Sequence, residues 1–136
     1  MMISTRGRYA VRMMLDLAEN AGDGYVSLKD IASRQGISKK YLEQIIPLLN
    51  HAGLLSTARG HQGGYRLSKA PENYTIGEIV RSTEGGFAPV SCLEDNHEEC
   101  PRKGECATLP VWMGLQKVVD DYLDGITLKE ILDQMK

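Results

Sequence analysis

Apolar residues recur at helical spacing through most of the chain and at a spacing of two in one short stretch. Ala10, Met13, Met14, Leu17, Ala18 and Ala21 line one face of a first helix that Ser4 or Thr5 can cap, and Ala21-Gly22-Asp23-Gly24 ends it. Ser27 opens a second helix, with Asp30 three places on and Leu28, Ile31 and Ala32 turned inward. Gly36-Ile37-Ser38 then supplies a residue free to take positive φ, an apolar plug and a new cap. From Lys39, residues Leu42, Ile45, Ile46, Leu49 and Ala52 follow the i, i+3, i+4, i+7 rule and turn Lys39, Lys40, Glu43 and Gln44 outward. Pro47 removes an amide from this helix and predicts a kink or an end there, and Gly53 closes the stretch.

Beyond Gly53 the period changes to two. Leu55, Thr57 and Arg59 alternate with Ser56 and Ala58, and after Gly60-His61-Gln62-Gly63-Gly64 the alternation resumes at Tyr65 and Leu67. This predicts strand, tip and strand. Two helices joined by a tight turn and followed by a glycine-tipped hairpin make a winged helix-turn-helix, in a chain that is otherwise mainly α. Pro71 and Asn73 then mark a turn, and Thr75-Ile76-Gly77-Glu78 is a capping box for a short supporting helix with Ile76, Ile79 and Val80 inward, ended by Gly85-Gly86.

From Phe87 to Thr108 the periodicity disappears into a polar, acidic stretch. It returns in a long helix that Thr108 can cap, with Pro110 tolerated in its first turn. Val111, Leu115, Val118 and Tyr122 form a seam widened by Trp112, Val119 and Leu123, broader than a lone surface helix needs, so dimerisation is its expected use. Gly125 stops that helix, and the capping box Thr127-Leu128-Lys129-Glu130 starts a last one.

The polar residues suggest what the motif is for. Lysines near a helix start suit phosphates, Gln can pair with adenine, and Glu can accept from cytosine, although a solvated face has the same composition. The glycines at the hairpin tip allow close approach to another surface, with Arg59, His61 and Gln62 as donors. A nucleotide loop is excluded, because no Lys-Ser/Thr follows the glycines and the stretch runs into a strand. The methionine pair on the first helix matches its inward face and reads as core filler.

Charge separates along the chain of 136 residues. Residues 1–70 hold ten Lys and Arg against five Asp and Glu, a net of +5, while the remainder carries −7. An overall charge of −2 therefore conceals a basic half suited to nucleic acid. Hydrophobic content of 42% is that of a globular chain, no apolar run approaches a membrane span, and no signal-peptide core is legible, so cytoplasmic residence is expected. No catalytic constellation is legible either, and an enzyme is not expected.

All three cysteines, Cys92, Cys100 and Cys106, fall in the irregular stretch, where no apolar face would bury them. Thiolates on irregular backbone suit an iron-sulfur cluster, a zinc site of three cysteines and one histidine, or a redox switch. His97 is the one histidine in the stretch and can serve as a fourth ligand, as can Asp95, Glu99 or a group from a partner chain.

Three segments carry a family resemblance: Ile3-Ser4-Thr5-Arg6-Gly7-Arg8-Tyr9-Ala10, Ser38-Lys39-Lys40-Tyr41-Leu42-Glu43-Gln44 and Arg59-Gly60-His61-Gln62-Gly63-Gly64-Tyr65-Arg66-Leu67. In this order and spacing they resemble the Rrf-two family of bacterial winged-helix regulators, with its IscR-like, NsrR-like and CymR-like branches. The resemblance implies a homodimeric transcription factor on double-stranded DNA with a pseudo-palindromic operator. It places the Lys39 helix in the major groove and the Arg59 hairpin in the minor groove, with contacts from Arg8, Tyr9, Ser38, Lys39, Lys40, Tyr41, Glu43, Gln44, Arg59, Gly60, His61 and Gln62. It further implies a [2Fe-2S] cluster on Cys92, Cys100 and Cys106, controlling iron-sulfur biogenesis or redox and sulfur-metabolism genes. The position three after Cys106, where the IscR-like branch has a histidine ligand, is Leu109, and Arg8 stands where an NsrR-like chain has an acid. A cluster-free, CymR-like regulator answering to a protein co-regulator and a small redox or metal-binding protein are the other readings. The expected organisation is a DNA-binding domain over 1–86, a cysteine loop over 87–107, and dimerisation and terminal helices over 108–136.

Overall fold

The computed structural model describes residues 3–60, 63–86, 88–89, 93 and 106–135. Helix α1 spans Thr5–Asn20, α2 Leu28–Gln35 and α3 Lys39–His51; strands β1 (Leu55–Ala58) and β2 (Gly64–Leu67) follow. A turn of 3-10 helix at Pro71–Asn73 leads to α4 (Ile76–Glu84), and the long α5 (Leu109–Asp124) and α6 (Leu128–Gln134) complete the order.

Each of the first helices starts where a hydroxyl meets its free amides. Ser4, Ser27 and Ser38 accept from the N–H of Gly7, Asp30 and Tyr41, and Thr75 and Thr127 do the same for α4 and α6. Gly36 ends α2 at φ +64, a left-handed conformation without penalty only for glycine, and so makes the tight turn into α3. Thr108 differs from expectation. It stands at the start of α5 in helical conformation and caps no amide, its hydroxyl lying 3.3 Å from the Cys106 sulfur instead. Pro47 does not end α3, which continues to His51, and Ala52 is exposed at the helix terminus and does not extend the buried face.

The core is continuous across the helical motif and its supports. Ala10, Met13, Met14 and Leu17 of α1 meet Ile31 of α2, Leu42, Ile45 and Leu49 of α3, Ile79 and Val80 of α4, and Leu128 of α6, all at most 2% exposed. Burying each large side chain contributes roughly 1.5–3 kcal/mol. The two strands pair antiparallel, with Leu55 opposite Leu67 and Thr57 opposite Tyr65, and Tyr65 also bridges Val26 ahead of α2. A Cβ on Gly64 would run into the Val26 carbonyl, so glycine is what lets the wing lie against the entry to α2.

Helix α5 behaves otherwise. None of its residues is buried, and Val111, Leu115, Val118 and Tyr122 are exposed along one line, while Val119 and Leu123 pack on the core. Among the described residues no helix is long and apolar enough to cross a membrane.

Candidate nucleic-acid interface

The outward side of α3 follows from the packing of its inner side. With Leu42, Ile45, Ile46 and Leu49 buried, Lys39, Lys40, Glu43 and Gln44 project into solvent. Ser38 is exposed at the cap, and Tyr41 is half-buried. Tyr41 meets Tyr9 of α1 edge to face, with ring centroids 5.3 Å apart at 70°. The structure thus joins two residues assigned from separate sequence segments. Arg8 is exposed one position earlier, where its Nη2 donates to Thr5 Oγ1 at 3.0 Å.

On the wing, Arg59 and Gly60 are exposed beyond the last residue of β1, with Gly60 at φ +105. His61 and Gln62 lie outside the described residues. Thr57 Oγ1 donates to Asn50 Oδ1 at 3.4 Å, a weak link between β1 and the last turn of α3.

Ion pairing sorts the cations. Arg34, Lys69, Arg81, Lys117 and Lys129 each sit against an Asp or Glu. The hydrogen bond that the Arg34 guanidinium donates to Asp16 is the main reason that its pKa is pushed up from the ordinary value, and the bond to Asp121 does the same for the Lys117 ammonium. Arg6, Arg12, Lys29 and Arg66 form no ion pair among the described residues, and neither do Arg8, Lys39, Lys40 and Arg59. Their charges are therefore available to an outside anion, and spread over α1, α3 and the wing they suit an extended one.

Residues 3–134 match the Rrf2 family, described as an iron-dependent transcriptional regulator. The chain belongs to the Rrf2 family. Protein rrf2 of Nitratidesulfovibrio vulgaris is 41% identical over 132 residues, covering 97% of this chain and 87% of its own. The structure of CymR, the global cysteine regulator of B. subtilis, matches with a TM-score of 0.78 at 40% identity over 98% of both chains. IscR of T. potens matches with a TM-score of 0.78 at 39% identity, covering 100% of this chain and 89% of its own. This Rrf2 protein is accordingly a winged-helix, DNA-binding transcriptional regulator and not an enzyme.

Of the expected metal ligands, Cys106 is half-buried just ahead of α5, and Cys92, Cys100 and His97 lie outside the described residues. Among the described residues no group of three His, Cys, Asp or Glu is gathered as a metal would require.

Three structural residues escaped the periodicity. Asp16 is 2% exposed on α1 and accepts from Arg34 Nε and Nη2 at 3.0 and 2.8 Å and from Gln35 Nε2 at 3.0 Å, which locks α2 onto α1. Its place between Met13 and Leu17 on the inward stripe was the available signal. Glu84 closes α4 onto the start of α1, its Oε1 accepting from the Ser4 amide at 3.1 Å and from the Ser4 hydroxyl. A Cβ on Gly7 would stand 2.6 Å from that oxygen, which explains the glycine inside α1. Tyr74, fully buried below the wing, gave no signal in the sequence.

Proposed function

We propose that this regulator binds a pseudo-palindromic operator as a homodimer, with α3 in the major groove and the Arg59 hairpin in the minor groove. The observation that carries the reading is the set of cations Arg8, Lys39, Lys40 and Arg59, which form no ion pair among the described residues and stand on elements facing solvent. Tyr9, Ser38, Tyr41, Glu43, Gln44 and Gly60 complete the contact surface on that reading, with His61 and Gln62 at the tip. The apolar line on α5 is the dimer seam, since an exposed stripe of this kind is rare on a monomer. Two copies related by a two-fold axis require two half-sites, and a wing arginine suits narrow A·T-rich minor groove.

The operator contact is modulated by an iron-sulfur cluster, most simply [2Fe-2S], on Cys92, Cys100 and Cys106, with His97 as a candidate fourth ligand. The donor chemistry fits: three thiols lie between the end of α4 and the start of α5, and soft thiolates favour such clusters or zinc. The group would supply sensitivity to iron and oxidants. The family description as iron-dependent and the similarity to an IscR support this, while the equal similarity to CymR favours a cluster-free regulator of cysteine metabolism with a protein co-regulator as the second reading.

Salt-dependent titration of a selected operator tests the placement. Arg59→Ala is expected to weaken specific binding, and Lys39→Ala to lower the salt slope by about one unit for each protomer. Operator affinity unchanged in both variants would refute it.

A further inference from the structure

Arg12 belongs to no ion pair among the described residues, yet it is firmly held. Its Nε donates to Gln35 Oε1 at 3.2 Å, and its Nη2 donates to the Gln35 backbone carbonyl. The Gln35 amide is itself oriented from below. Gln35 Nε2 donates to the carboxylate of Asp16, so Oε1 is the atom left to face Arg12. The guanidinium carbon stands 5.3 Å from the centroid of Tyr9, the ring that meets Tyr41 in the first turn of α3. Gln35 is the last residue of α2, immediately before the turn that launches α3.

These contacts separate Arg12 from Arg34. The charge of Arg34 is met by Asp16, whereas both partners of Arg12 on Gln35 are neutral oxygens. Arg12 thus keeps its full charge, uses part of its five-donor fork for fixation, and is exposed beside the first turn of the helix that carries Lys39 and Lys40. An arginine fixed before binding loses little side-chain entropy on meeting an anion. We propose that Arg12 is a contact to the DNA phosphate backbone, and that Gln35 is the positioning residue that orients it. The proposal rests on reading α3 as the helix that docks on DNA.

The test is a titration of a duplex that the wild-type protein has selected from random DNA, with log Kd followed against log salt for wild type, Arg12→Gln, Arg12→Lys and Lys39→Ala. Loss of one phosphate contact lowers the slope by about 0.9 for each protomer bound. Arg12→Gln is expected to show this loss, and Arg12→Lys to keep the wild-type slope with weaker binding. If Lys39→Ala loses slope and Arg12→Gln does not, Arg12 only staples α1 to α2 and the assignment is overturned. If both keep the wild-type slope, the docking of α3 itself is wrong.

Gln35→Ala is expected to weaken binding several-fold in the wild-type background and to add nothing to Arg12→Gln. Equal losses in both backgrounds would overturn the positioning role. A measurement without any variant guards against misfolding: phenylglyoxal should modify Arg12 in the free protein and be blocked by the duplex. Equal modification with and without DNA refutes the contact.

Discussion

The hydroxyl of Tyr74 donates to the carbonyl of Leu54 at 2.7 Å, joining the residue ahead of β1 to the residue two places ahead of α4. The same oxygen accepts from the amides of Ser68 and Lys69 at 2.9 and 3.2 Å, so one buried atom satisfies three backbone groups at the base of the wing. Tyr74→Phe leaves these groups unpartnered at constant volume. A loss of roughly 1–3 kcal/mol is expected in urea unfolding, and a faster amide exchange at Ser68 and Lys69 should accompany it. An unchanged midpoint would show that water replaces the hydroxyl without cost.

Arg34→Ala is expected to cost about 2 kcal/mol, because it leaves the buried Asp16 carboxylate with Gln35 alone, although the partial exposure of Arg34 lets water offset part of the loss. The pH dependence has a definite sign. Arg34 is raised above the ordinary guanidinium pKa by its hydrogen bond to Asp16, so its contribution is present below the unfolded value and is lost only as pH rises through the higher folded value. The difference between variant and wild type, measured by urea unfolding, should therefore be constant from about pH 7 to 10.

Val118→Glu tests the seam on α5. Val118 is 65% exposed in the single chain, so the substitution should leave the unfolding of a monomer little changed while placing two carboxylates against an apolar partner face. Sedimentation equilibrium is expected to shift from dimer toward monomer. Operator affinity should fall with it, since each half-site would then be bound alone.

Cys106→Ala tests the proposed cluster. Anaerobically purified protein is expected to lose iron, sulfide and visible absorption together, and its operator preference should change relative to wild type. Retention of one zinc with no colour in the wild type would favour a zinc site, and a colourless, metal-free wild type would favour the cluster-free regulator.

The local start and stop signals were legible because their bonds close within three or four residues. Ser4, Ser27, Ser38, Thr75 and Thr127 cap the helices that their spacing predicts, and Gly36 and Gly85 take the left-handed conformation expected of helix ends. The outward set Lys39, Lys40, Glu43 and Gln44 was readable for the same reason, since a helix with one apolar stripe leaves its other face outside. Thr108 shows the limit of local reading, because a hydroxyl in the capping position can find another partner.

Tertiary structure alone decided the pairs far apart in the chain. Ser4 with Glu84, Asp16 with Arg34 and Gln35, Arg12 with Gln35, and Tyr74 with Leu54 are separated by 80, 18 and 19, 23, and 20 residues. No periodicity records such a partner, since a polar side chain looks alike in sequence whether it ends in water or on a buried carboxylate. The chain's own pattern determined which helices form and which faces they bury; how those helices close on one another determined which of the described charges are met by a partner and which face solvent.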